Sequence, residues 1–201
     1  MRLPSESKQQ LFLKNLLAEN CLLNSGMGVI LAVLATVNTE QAFFVGSLAL
    51  LALMLNSLVS SVLSDVFRFR LPLWSRVLAT ALLLSLLSAA FAPKLLRLPA
   101  LTSIAVMIIS VSPLTYARSR AFADDSTPGR ALFDAAGSGV GLVAAMLAIA
   151  SVREALGSGT LGALSLFSSP PIPMLGQAFG GFLITAAAMA AFRMASARQA
   201  A

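Results

Sequence analysis

The stretch AFFVGSLALLALMLNSLVSSVLS, residues 42–64, runs without a charge until Asp65. A helix needs about 20 predominantly apolar residues to cross the hydrocarbon core of a bilayer. This run meets that length without a charged residue in it. Five further uncharged runs surround it. Residues 20–39 lie between Glu19 and Glu40, 77–93 between Arg76 and Lys94, and 98–117 between Arg97 and Arg118. Residues 135–152 lie between Asp134 and Arg153, and 71–75 could lengthen the third run. The last run, 155–192, exceeds one helix and holds Gly157, Gly159, Gly162, Pro170, Pro171 and Pro173. It divides into an irregular loop near 155–171 and a sixth span near 172–194.

Composition agrees. Of 201 residues, 58% are hydrophobic and 11% charged, where a soluble domain carries about 25% charged residues. One soluble core of this size could not hide so much apolar surface, so lipid is the expected solvent. The expected class is an all-α integral membrane protein of six spans. Residues 1–14 form a cytoplasmic N-terminal segment, 15–194 one transmembrane domain and 195–201 a cytoplasmic tail.

The net charge of +6 does not point to nucleic acid, because the cations sit singly or in pairs between apolar runs and build no basic face. They follow the positive-inside rule instead. With the N-terminus inside, Arg2, Lys8, Lys14, Arg68, Arg70, Arg76, Arg118, Arg120, Arg130, Arg193 and Arg198 are cytoplasmic, and only Lys94, Arg97 and Arg153 lie opposite. Both termini are therefore expected in the cytoplasm of a bacterium, across its inner membrane. The polar start MRLPSESKQQ shows no A-x-A-like cleavage site after a short apolar stretch and is read as retained.

The chain has no histidine and one cysteine, Cys21. That excludes an intrachain disulfide, His-ligated haem or zinc, and an iron–sulfur cluster held by this chain's cysteines alone. Cys21 fits a small apolar filler, with a ligand role as the alternative. No nucleophile–base pair or phosphate loop is present, so the chain is at most a non-autonomous part of an enzyme.

Two spans are irregular. The first carries Asn20, Asn24, Ser25, Gly26 and Gly28, and the fourth carries Ser110, Ser112, Pro113 and Thr115. Proline removes a backbone donor and obstructs the preceding turn. Broken helices in lipid are tolerated where protein or water satisfies the freed groups. Breaks opening each three-span half fit a three-plus-three inverted repeat around a central site lined by Asn24, Gly26, Gly28, Ser112 and Pro113. The other reading is ordinary helix packing through small residues. Gly137, Ser138, Gly139 and Gly141 form a small-residue stripe whose default meaning is close packing. It lies inside an apolar span, so it is not a dinucleotide loop. Asp65 and Asp134 read as interfacial carboxylates, with a proton or cation relay as the alternative. Arg153 and Glu154, adjacent opposite charges at a span end, read as solvated residues of an outer loop. Gly157 and Gly159 after them suit a helix C-cap and a tight turn.

Several segments resemble one family in order and spacing. Arg153-Glu154-Ala155-Leu156-Gly157-Ser158-Gly159-Thr160-Leu161 resembles the R-E-x-x-G-x-G-T-L segment of the six-helix membrane subunits of Rnf and Nqr electron-transport complexes. Asp134 with Gly137, Gly139 and Gly141 resembles their D-x-x-G-x-G-x-G stretch. Arg118 with Ala121-Phe122-Ala123 resembles their G-R-A-E-A-F-A loop, with Ala117 and Arg120 in place of its first glycine and its glutamate. Arg70-Leu71-Pro72 resembles an R-I-P entry to the third span. Pro173-Met174-Leu175 with Ala178-Phe179 resembles the opening of the sixth. Within the family the chain is most like the E subunit of Rnf, or its counterpart, the D subunit of Nqr.

The resemblance implies a membrane subunit of a redox-driven ion translocase. Its partners would be a sister six-helix subunit, other Rnf-type subunits and lipid. Flavins and an iron–sulfur cluster are implied only for the whole complex. In the family each sister supplies two cluster cysteines, one from each broken helix. Here Met27-Gly28-Val29-Ile30-Leu31 falls on the family's L-G-L-C-P-L and Val111-Ser112-Pro113 on its T-N-C, so Ile30 and Pro113 stand where thiolates belong. The expectation is that this chain binds no cofactor or metal by itself. A stand-alone small carrier or permease, and a structural assembly subunit, are the alternatives.

Overall fold

The computed structural model describes residues 7–66, 75, 82 and 127–200. The spans expected over 77–93 and 98–117, with Ser112 and Pro113, fall outside the described residues.

The first helix, α1 (Lys8–Leu13), opens on a reciprocal cap: the Ser7 hydroxyl accepts from the Gln10 amide and the Gln10 side chain accepts from the Ser7 amide. Both would otherwise be orphan donors at a helix start. The helix begins within the segment read as a polar N-terminal arm. It continues through a π turn, Lys14–Ala18. The chain then leaves helical geometry. The run 20–39 is not one helix. Residues 21–25 are turns closed by Asn24 N to Asn20 O and Gly26 N to Leu22 O. Gly26 (φ 69°) and Gly28 (φ 91°) take left-handed backbone, which glycine alone adopts freely. Only after them does the half-helix α2 (Val29–Ala35) form.

Three described helices are long and apolar enough to cross a membrane. They are α3 (Thr39–Val66), α4 (Pro128–Gly157) and α5 (Ala178–Ala200). The 30-residue α4 is roughly 45 Å long at the usual rise per residue. It extends past both charged residues that seem from sequence to bound it, Asp134 and Arg153. Between α4 and α5 lie a two-stranded antiparallel hairpin, β1 (Thr160–Leu161) and β2 (Leu164–Ser165), and a 3-10 turn, Pro173–Gly176.

Helix α3 packs antiparallel on α4, and glycines set the spacing. Gly46 faces Val143, and Gly139 lies so near Leu50 that a Cβ there would overlap Leu50 Cδ1 and sit 3.1 Å from its Cα. On another face of α4, a Cβ at Gly137 would sit 2.6 Å from Phe12 O, and one at Gly141 3.1 Å from Leu16 O. The small-residue stripe thus lets α4 touch α3 and the α1–π segment at once, as membrane helices do where backbones must approach. The core between them comprises Leu22, Leu31, Val45, Leu53, Leu142 and Met146, all buried.

Alanine at Gly139 meets helix backbone as well as a flexible side chain, so Gly139→Ala should destabilise by about 1–3 kcal/mol, and Gly139→Leu by more. Thermal unfolding in detergent should show midpoints falling from wild type to Ala to Leu; an unchanged midpoint for Leu would refute the packing.

Candidate functional site

The half-helix α2 has two ends, and different residues hold each. Its seven residues place those ends roughly 10 Å apart.

At the C-terminal end sits Arg153, fully buried. Its Nη1 donates to Val33 O (2.9 Å) and Thr36 Oγ1 (2.8 Å). Its Nε donates to Leu175 O (3.2 Å), and Nη2 to Gly176 O (3.4 Å) and Gln177 O (3.0 Å). The guanidinium has five N–H groups in a fixed fork, and these contacts employ all of them. Val33 belongs to the last turn of α2, where carbonyls lack helical partners and the dipole is negative. Thr36 relays the grip, donating in turn to Ala32 O (2.6 Å). Arg153 therefore joins three elements: α4, the end of α2, and the turn that leads into α5. Space for it is reserved by Gly181, whose missing Cβ would lie 2.9 Å from Nη1.

Glu154 performs the matching task one residue on. Its Oε2 accepts from the amide and hydroxyl of Thr39 (2.7 Å each), and Oε1 accepts from Gly162 N (2.7 Å). A carboxylate at the start of α3 meets the free amides and positive dipole of a helix N-terminus. The following glycines have distinct tasks. A Cβ on Gly157 would lie 2.6 Å from Gly176 N, so only glycine lets the turn approach α4. Gly159 (φ 77°) starts the hairpin in left-handed backbone. The adjacent charges are thus not solvated, contrary to the expectation from sequence. Both are buried and face different partners, because each has its own neutral hydrogen-bonding cage.

At the N-terminal end of α2 lie Asn24, Gly26 and Gly28. Asn24 is exposed, and its carbonyl accepts from Arg193 Nη2 (2.7 Å). Gly26 packs on the Met189 methyl. Asn20 anchors the turn before them: Oδ1 accepts from the Leu22 and Leu23 amides (3.1 Å each) while Nδ2 donates to Gly141 O (2.8 Å). Of the nine residues singled out from sequence, Asn24, Gly26 and Gly28 lie at the N-terminal end of the half-helix, Arg153 binds its C-terminal end with Glu154, Gly157 and Gly159 beside it in the chain, and Ser112 and Pro113 lie outside the described residues. Sequence reasoning missed Thr36 and Asn15, and marked Asn20 as part of the break but not as its anchor. Asn15 Nδ2 donates to Asp134 Oδ1 at 2.5 Å. Asp134 is buried.

The donors near α2 among the described residues do not suit an iron–sulfur cluster. Cys21 is buried, with Sγ 3.5 Å from Ser138 O, a packed thiol. At the exposed start of α2 stands Ile30, 61% exposed, whose side chain has no donor atom. No group of three His, Cys, Asp or Glu residues converges among the described residues.

Removing Arg153 strands several buried acceptors, each costing about 1–3 kcal/mol. Arg153→Ala should therefore lower the thermal midpoint sharply. Arg153→Lys should recover little of it, since one ammonium cannot span both α2 and the turn. Glu154→Gln keeps an acceptor and should cost about 1 kcal/mol, less than Glu154→Ala. Equal midpoints for Lys and Arg at 153 would contradict the clamp.

Comparison with known proteins accords with this architecture. A family model described as Rnf-Nqr subunit, membrane protein, matches residues 8–196. The chain is 27% identical over 179 residues, 87% of its length and 83% of the relative's, to the E subunit of the proton-translocating ferredoxin:NAD(+) oxidoreductase complex of Clostridium ljungdahlii. It is 28% identical over 171 residues, 82% of its length and 86% of the relative's, to the E subunit of the Na(+)-translocating ferredoxin:NAD(+) oxidoreductase complex of Acetobacterium woodii. It is 25% identical over 158 residues, 76% of its length and 67% of the relative's, to the E subunit of the ion-translocating oxidoreductase complex of Glaesserella parasuis. With its apolar helices and a family match spanning nearly its whole length, the chain belongs to the Rnf-Nqr family of membrane-protein subunits.

Proposed function

We propose that this chain is a membrane subunit of an Rnf-type ion-translocating electron-transport complex, of the kind to which its relatives belong. The observation that carries the reading is the family match over residues 8–196, joined to the half-helix that Arg153 holds in place. Finer features belong to the same proposal. The chain spans the bacterial inner membrane six times as a three-plus-three inverted repeat, with both termini cytoplasmic. Its partners are a sister six-helix subunit and the remaining Rnf-type subunits. It contributes no ligand to an iron–sulfur cluster. Ile30 at the start of α2 favours a part for this chain in assembly and positioning over one in electron transfer.

Two experiments separate these statements. Affinity purification of the tagged chain in a mild detergent should bring down other redox subunits with bound flavin and iron; recovery of the chain alone would overturn membership of a complex. In the same preparation Cys21→Ala should leave iron and acid-labile sulfide per complex unchanged, because its thiol packs on Ser138 O. A loss of iron would show that Cys21 is a ligand and would overturn the cofactor part alone.

A further inference from the structure

The connection between α4 and α5 exposes an unusual surface. Leu164, Leu166, Phe167, Ile172 and Met174 are each close to half exposed or more. They lie in a segment with no charge anywhere from 155 to 192. Exposed apolar side chains gathered in one short folded segment mark a surface that something covers.

The segment is ordered by its own hydrogen bonds. Gly159 O accepts from both Leu166 N (2.8 Å) and Phe167 N (3.0 Å), Leu156 O accepts from Ile172 N (2.9 Å), and Glu154 holds Gly162 N. Pro170, Pro171 and Pro173 have no amide hydrogen, so three donors that would need partners outside water are absent. The result is a plate tied back to the end of α4 at several points, whose exposed side chains are mostly apolar, with Ser165, Ser168 and Ser169 interspersed.

Its position indicates the occupant. Both roots are ends of candidate membrane helices, Gly157 and Ala178. The plate leads in sequence into α5, where Phe179, Phe182 and Leu183 are exposed on a helix that its family membership places in lipid. We propose that residues 162–174 lie in the interfacial layer of the bilayer, apolar side chains toward the acyl chains and serines toward the headgroups, and anchor the α4–α5 end of the protein there. An amphipathic surface at that depth gains from burial of apolar side chains such as Phe167 and Leu166 without spanning the membrane. This inference uses only the membrane location and is independent of the assignment to a redox complex.

Tryptophan reports depth directly. In a Trp74→Phe background, which removes the one native tryptophan, single probes Phe167→Trp, Ile172→Trp and Phe182→Trp would be introduced in the full chain and reconstituted into phosphatidylcholine vesicles. Lipid brominated near the headgroup should quench the first two strongly, and lipid brominated near the chain ends should quench them weakly. Aqueous iodide should have little effect. Phe182→Trp, within α5, should be quenched by lipid and verifies insertion of each preparation. If Phe182→Trp is quenched by lipid while both plate probes are quenched by iodide, the plate faces water and the proposal fails. If both are shielded from lipid and iodide alike, protein covers the plate and the proposal also fails.

Discussion

A buried guanidinium without a carboxylate against it is the constraint on which the described structure depends. An isolated charge in a low-dielectric interior is costly unless hydrogen bonds replace its hydration. Arg153 obtains that replacement from five neutral oxygens on two other elements. The dependence is mutual. The end of α2 has carbonyls that no helical amide can reach, and the turn Pro173–Gly176 is too short to satisfy its own. One side chain meets both needs, so the half-helix, the long helix α4 and the entry to α5 are fixed relative to one another. Glu154 extends the arrangement to α3 and the hairpin. Gly157, Gly181 and Gly180, the last abutting Leu175, supply the room.

Much of this architecture is legible in the chain, and the illegible part has a physical explanation. Uncharged runs of membrane length mark α3 and α4 correctly as apolar helices, because lipid exposure leaves a compositional trace that needs no tertiary knowledge. The glycine stripe on α4 is likewise readable, since close backbone approach admits few residue types. Charge proves an unreliable boundary marker. Asp134 and Arg153 look like span ends, yet both lie inside α4, made tolerable by Asn15 and by the carbonyl cage. Asn15, and the Val33 and Thr36 oxygens of the cage, are more than a hundred positions distant in sequence, and no local pattern announces them. Adjacent opposite charges also look like a solvated pair, whereas consecutive residues on a helix point about 100° apart and here serve different elements.

The break between Asn20 and Gly28 shows the same division. That the helix is interrupted is visible in its glycines. How it is supported is not, because the support comes from Asn20 reaching Gly141 and from Arg193 reaching Asn24. The resemblance to a redox-complex component points to the right family, although its cysteine positions are not kept. The motif around Arg153 builds a mechanical joint, and Ile30 occupies the tip of the half-helix that the joint positions. Substituting one exposed residue at such a tip leaves the fold intact, whereas altering the buried joint would not, so the two features are free to diverge independently.

Hydrogen–deuterium exchange, compared between the native chain and Arg153→Lys in lipid nanodiscs, tests the joint most directly. If Arg153 holds both elements, the amides at the end of α2, residues 33–36, and those of the turn, residues 172–177, should lose protection together. The α3–α4 contact around Gly46 and Gly139 should stay protected. Unchanged exchange in both segments, or loosening of one without the other, would contradict it.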